Sequence, residues 1–178
     1  LISESLLVSD DITLPSNLIV QSSGSLTADS KTFTKESYAP GNITINTGSS
    51  SLQTITFNSC GLLKLVGLDS NATMSSLTLN NCTGMQIEGG SVDVSTVTIN
   101  SATSDYLVSD DHTGTISGMT FDLDSNFNTN SLIKLGASTS TSTTLSGEIT
   151  VKTSDTNVEL TEELVCLLYT SPSPRDLL

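Results

Sequence analysis

The sequence LQTITFNSC at residues 52–60 returns as MSSLTLNNC at 74–82, VSTVTINSA at 94–102 and ISGMTFDLD at 116–124. In each copy an apolar residue is followed three places later by apolar-Thr-apolar, then by Asn or Asp. The threonines Thr56, Thr78, Thr98 and Thr120 set a period of roughly 22 residues, within the range that marks a solenoid. A unit of that length cannot bury its apolar face alone, because ordering its backbone costs more than its few apolar side chains return. Stacked copies are the expected architecture.

Three short apolar stretches recur in each unit. The first places Ile55 and Phe57 inward and Thr56 outward, as a strand period of two requires. The second is the pair Leu63/Leu65, Met85/Ile87 and Tyr106/Val108. The third runs Ala72 to Met74, Val92 to Val94 and Thr115-Ile116. Three strands per unit predict an all-β, single-stranded right-handed parallel β-helix, its coils ~4.8 Å apart. About seven such coils fit between Leu1 and Val165. A leucine-rich-repeat solenoid is the competing fold. Leu52, Ile55, Phe57, Cys60 and Leu62 fit its template L-x-x-L-x-L-x-x-[NC]-x-L. The second unit has Gly84 where Leu belongs, and the fourth has Asp124 at the Cys position. Val92-Asp93-Val94 alternates like a strand, and the Gly, Ser, Thr and Asp around it are poor helix formers. The β-helix is preferred.

Asn58, Asn80, Asn100 and Asp122 share one position, immediately after the inward Phe57, Leu79, Ile99 and Phe121. Asparagine tolerates left-handed dihedrals and can hydrogen-bond its own kind on the next coil. The pattern resembles the asparagine ladder of right-handed β-helices of the pectin-lyase-like superfamily, over Asn42 to Val151. The resemblance implies the architecture and carries no catalytic motif.

On the N-terminal side, Leu6-Leu7-Val8, Ile12-Thr13-Leu14 and Leu18-Ile19-Val20 read as short strands between turns. Ala28 to Gly41 is longer and more polar, and is expected to project as a loop. After Asp124 the register slips. Thr150 stands 30 positions beyond Thr120, about eight more than one coil. The excess lies in Ser125 to Ser131 and Ala137 to Thr144, with Leu132-Ile133-Lys134-Leu135 as a strand between them. Asn157 to Val165 reads as one more coil. Cys166 to Asp176 resembles the translation of a transposon-based sequencing adapter. Arg175 is the only arginine in the chain, and Pro172 and Pro174 are two of its 4 prolines. Cys166 to Leu178 is therefore expected to be a non-native tail. With Leu1 in place of Met, residues 1–165 are expected to be a solenoid fragment incomplete at both ends.

The chain carries Lys+Arg 6 against Asp+Glu 19, a formal net charge of -13 and a pI near 4.1. Such a surface repels phosphate backbones, which argues against nucleic-acid partners. About a third of the residues are Ser or Thr, and charged residues are only 14%. The regular Val, Ile and Leu positions exclude a disordered acidic tail. The longest apolar run, Leu62 to Leu68, is interrupted by Lys64 and falls short of the ~18 residues a membrane span needs.

Few residues invite chemistry. Cys60 and Cys82 share a place with Ala102, which suggests a tight inward corner. Adjacent coils bring two such cysteines within disulfide range, although in-register side chains point the same way. Buried thiols are preferred, with the bond left open, and a metal lacks His partners. Ser109-Asp110-Asp111-His112 sets the only histidine beside two carboxylates. In pectin-degrading hydrolases of the superfamily it resembles, such groups are spread over successive coils and joined by an Arg-Lys pair. Here they share one turn, and Leu7 to Asp11 repeats Leu107 to Asp111, so the motif reads as a strand ending. Asp110, Asp111, Asp122 and Asp124 suit weak Ca²⁺ binding, with no loop spacing to enforce it. Asn42-Ile-Thr, Asn71-Ala-Thr and Asn81-Cys-Thr are glycosylation sequons, no more than chance supplies in this composition.

No catalytic residue, cofactor or metal is therefore expected. The leading expectation is a structural or adhesive segment of a larger extracellular or cell-surface protein, with glycans or surface molecules as partners. The alternative is a fragment of a polysaccharide-active β-helix enzyme, with a trimeric phage-tail or spore-coat solenoid as a third class. Function is expected in the interruptions, Ala28 to Gly41 and Ser125 to Thr144.

Overall fold

Short β-branched strands separated by turn residues have one way to bury both ends of every inward row, which is to wind and stack. The computed structural model describes residues 1–46, 50–124, 130–135 and 143–153. They form a parallel β-solenoid of about 6 turns, with about 22 residues per turn and no helix among the described residues.

Three parallel faces line the solenoid. The first holds β1 (Ser5–Val8), β4 (Ser25–Asp29), β7 (Ser51–Gln53) and β10 (Thr73–Met74). Bridges through Val94 continue it to β15 (Thr115–Ile116) and β18 (Thr144–Leu145). The second holds β2 (Ile12–Leu14), β5 (Thr32–Lys35), β8 (Ile55–Asn58), β11 (Leu77–Cys82), β13 (Val97–Ala102), β16 (Met119–Leu123) and β19 (Ile149–Thr153). The third holds β3 (Leu18–Val20), β6 (Ile43–Asn46), β9 (Leu62–Val66), β12 (Gly84–Glu88), β14 (Leu107–Asp110) and β17 (Ile133–Leu135).

Register turns the sequence repeat into continuous columns. Ile55, Leu77, Val97 and Met119 pair in line, as do Phe57, Leu79, Ile99 and Phe121. All eight are buried, whereas Thr56, Thr78, Thr98 and Thr120 between them face out. The leucine-rich-repeat alternative fails in the second half of the unit, where β12 and the Val94 bridge stand in place of a helix. Gly84, the misfit to that template, has a φ of 148°, and an added Cβ would lie 2.2 Å from the Asp105 carbonyl oxygen. The next coil passes too close there for any side chain.

Two expectations need correction. Ala28 to Gly41 is no projecting loop: Ala28 is buried in β4, and β5 carries Phe33 into the core. The Phe33 ring packs on Phe57 with centroids 5.5 Å apart. The flanking Lys31 and Lys35, both half-buried, give the stretch its polar look while their aliphatic stems can lie along the surface. In the fifth coil the inward pair is not Tyr106/Val108. Leu107 and Ser109 pair with Met85 and Ile87, and Val108 is half-exposed. A one-residue slip reverses the faces of a strand, and the apolar Tyr106 and Val108 disguised it. Tyr106 is buried just before the strand, edge-on to Phe121 at 5.8 Å.

Beyond Asp124 the anticipated realignment is present. Thr120 pairs with Thr150, Phe121 with Val151, and β17 stacks on β14. Residues 125–129, 136–142 and 154–178 lie outside the described residues. So do most of both expected loops, the coil at Asn157 to Val165 and the tail from Cys166.

The columns make a direct prediction. Phe57→Ala empties a site between stacked coils and is expected to cost ~3–5 kcal/mol. Thr56→Val, one place along and outward, is expected to stay within ~0.5 kcal/mol. Urea denaturation followed by circular dichroism distinguishes them, and equal losses would contradict the inward assignment.

Candidate functional site

The recurring asparagines, the cysteines beside them and the lone histidine are the places where polar chemistry meets the core. Asn80 donates from Nδ2 to Asn58 Oδ1 at 2.8 Å, and Asn100 donates to Asn80 Oδ1 at 2.8 Å. Every donation runs toward the N-terminal coil. Asp122 stands in register with Asn100, but a carboxylate has no N–H to give, so the side-chain ladder stops at three members. The left-handed residue is not the ladder asparagine but its successor. Ser59, Asn81 and Ser101 have φ of 51°, 52° and 60°. Asn58, Asn80 and Asn100 stay extended, which keeps their carboxamides in line, and the chain turns the corner one residue later.

That corner sends Cys60, Cys82 and Ala102 inward, all buried. Both cysteines are free thiols. Cys60 Sγ donates to the Phe33 carbonyl at 3.3 Å and Cys82 Sγ to the Phe57 carbonyl at 3.4 Å, each reaching the preceding coil. The neighbouring Cys82 thiol and burial together push the Cys60 thiol above its ordinary range. Both thiols are buried and bonded to backbone carbonyls of the preceding coil, so this column does packing work.

A second corner places the histidine. Gly67, Gly89 and Asp111 have φ of 60°, 64° and 52°, and Gly67 and Gly89 hydrogen-bond to the carbonyls of Glu88 and Asp110 on the following coils. Asp111 therefore does at its turn what glycine does on the two coils before it. The residue after it turns inward: His112 is only 1% exposed. Its Nε2 lies 2.8 Å from the Val92 carbonyl, which can only accept, so Nε2 carries the proton. The neutral ring then accepts at Nδ1 from the Thr143 hydroxyl, 3.0 Å away. Thr143 also hydrogen-bonds Ser109, the inward polar residue of β14. Burial holds the imidazole below its ordinary pKa of 6.5. Thr143 lies in a Ser/Thr tract with no strand pattern, so nothing local in the sequence marks it as a core partner.

The four aspartates do not converge. Asp110 and Asp111 are exposed at the end of the third face, with His112 on the opposite, inner side of the wall. Asp122 is exposed on the second face, and Asp124 accepts a hydrogen bond from Ser101 Oγ at 2.5 Å. Among the described residues no three His, Cys, Asp or Glu side chains gather to hold a metal ion. The sequon asparagines Asn42, Asn71 and Asn81 are all exposed, although Asn42 Oδ1 accepts the Leu62 N–H at 3.0 Å. No described helix is long and apolar enough to cross a membrane. No family model, curated protein or solved structure matches the chain.

Two predictions follow from this geometry. Asp122→Asn supplies the missing donor and is expected to extend the ladder, raising stability by ~0.5–1.5 kcal/mol in chemical denaturation. No gain, or a loss, would count against the rung. For His112, the unfolded chain takes up a proton near pH ~6.5 while the folded one resists it. Its contribution is therefore intact above that pH and falls away as the pH drops toward the depressed folded value. The denaturation midpoint of the wild type is expected to decline between pH 7 and 5.5 more steeply than that of His112→Gln. Parallel profiles would refute the assignment.

Proposed function

We propose that the chain is a structural or adhesive β-solenoid segment of a larger extracellular or cell-surface protein, built like the pectin-lyase-like β-helices it resembles. One observation carries the reading: the recurring inward and corner positions serve the fold. The inward rows are core, the asparagines bond one another, the corner residues turn the chain and the cysteines pack. Outside the threonine and asparagine columns the outer surface varies from coil to coil, and there such a segment would meet glycans or neighbouring cell-surface molecules. Exposed Asn71 and Asn81 suit the same setting, since both sequons are open to a glycan-transferring enzyme.

The polysaccharide-active alternative requires carboxylates and His112 on one outer face. His112 lies inside the wall, and no observation favours that reading over the first.

The adhesive part is tested by displaying the chain on beads and measuring attachment to cells and to a panel of immobilised glycans. Saturable attachment, lost when the beads carry thermally unfolded protein, is the expected result. Attachment no greater than that of bare beads would sink it.

A further inference from the structure

The second face differs from the third in what it shows to solvent. Thr32, Thr56, Thr78, Thr98 and Thr120 pair in one unbroken column across β5, β8, β11, β13 and β16. A parallel column of Asn58, Asn80 and Asn100 stands two residues along, held in line by its own hydrogen bonds. The outward residues of β8, β11 and β13 are threonine and asparagine, with Ser101 near the end of β13, and carry no charge in a chain of net charge -13. Half-exposed Lys35 closes β5, and Asp122 and Lys152 continue the asparagine column on β16 and β19. The third face, by contrast, carries a Lys64–Glu88 ion pair at 2.7 Å together with exposed Asp110 and Lys134.

The five threonine hydroxyls make no side-chain hydrogen bond to another described residue. They are half-buried by their neighbours, stiff at χ1 and backed by a stacked core, so their positions are set before any partner arrives. They repeat every ~4.8 Å across the strands, with the asparagines ~6.6 Å along them. Such a two-dimensional array rewards a partner that is itself periodic in both directions. A single polymer chain would meet one row at a time. The array is also a sheet face, with no aromatic side chain among its outward residues on which a sugar ring could stack. The lack of charge on the middle coils, β8, β11 and β13, matters in the same way: an ionic group keeps its own hydration shell and does not fit a lattice of neutral donors and acceptors.

We propose that this face binds ice, its threonine hydroxyls and methyls seating against the ordered water rows of a crystal surface with the asparagine ladder as the adjoining row. Crystalline water is uncharged, periodic in two directions at repeats of this size, and offers a donor or acceptor to every hydroxyl. The face gains from all five coils at once because its groups lose little freedom on contact, which is where preorganisation acts. This activity does not rest on the adhesive reading of the previous subsection.

The test is partitioning of the fluorescently labelled full 178-residue chain into slowly grown ice, compared with Thr78→Lys/Thr98→Lys, Thr98→Tyr and the third-face control Gln86→Lys. Circular dichroism confirms that each variant keeps the strand spectrum. The wild type and Gln86→Lys are expected to be enriched in the ice fraction. The double lysine variant is expected to fall at least tenfold toward exclusion. Thr98→Tyr keeps a strand-favouring residue while breaking the plane of the face, and is expected to fall as well. Exclusion of the wild type from ice overturns the proposal, as does enrichment that the second-face substitutions leave unchanged. Adsorption to microcrystalline cellulose or chitin with exclusion from ice overturns it too, and makes a crystalline polysaccharide the partner.

Discussion

Parallel, in-register pairing between successive coils is the interaction on which the rest of this molecule depends. Each strand finds its hydrogen-bond partners about one coil away in sequence, so a residue is stacked directly on its counterpart in the next coil. Whatever a position does on one coil, it must be compatible with doing on the next. Phe33 lies on Phe57, Ile99 pairs with Phe121, and Asn58, Asn80 and Asn100 become one another's partners. The repeat in the sequence is this constraint written linearly.

The corners show how the constraint is met where strands end. A parallel coil has to turn sharply between faces without losing its hydrogen bonds, and single left-handed residues achieve this. Glycine takes the position on two coils of one corner and Asp111 on the third, while Ser59, Asn81 and Ser101 share another. Small polar residues are admitted because their side chains point out to water. Once the corner is turned, the next residue can enter the interior, as Leu68, Cys60 and His112 do. A buried histidine is costly unless both ring nitrogens are satisfied, and Val92, Thr143 and Ser109 together form the chain that does so. The buried imidazole is thereby part of the packing between coils.

With the inside and the corners occupied by the fold, the outward rows are the part of the chain free to vary. They have diverged: the third face carries the Lys64–Glu88 ion pair, and the second presents threonine hydroxyls and asparagine amides in register on its middle coils. A solenoid is suited to this division of labour, since an outward substitution leaves the core columns untouched while altering an extended surface.

The threonine repeat, the alternation of Ile55-Thr56-Phe57 and the recurring asparagines determined the fold class, the inward rows and the ladder, because strand period and coil period both appear along the chain. What escaped was whatever depends on a contact between coils rather than within one. Phe33 was hidden by polar neighbours, and only its partner Phe57 shows that Ala28 to Gly41 belongs to the wall. The inward choice between Tyr106/Val108 and Leu107/Ser109 was ambiguous locally, because apolar residues stand on both sides and register with Met85 and Ile87 decides. Asp110, Asp111 and His112 are adjacent in sequence, yet one left-handed residue puts the carboxylates in water and the imidazole in the core. Thr143 meets that ring from 31 residues away. Periodicity is a property of the chain and can be read from it; which side of a wall a corner residue faces, and what it meets there, is set by neighbouring coils that stack only in three dimensions.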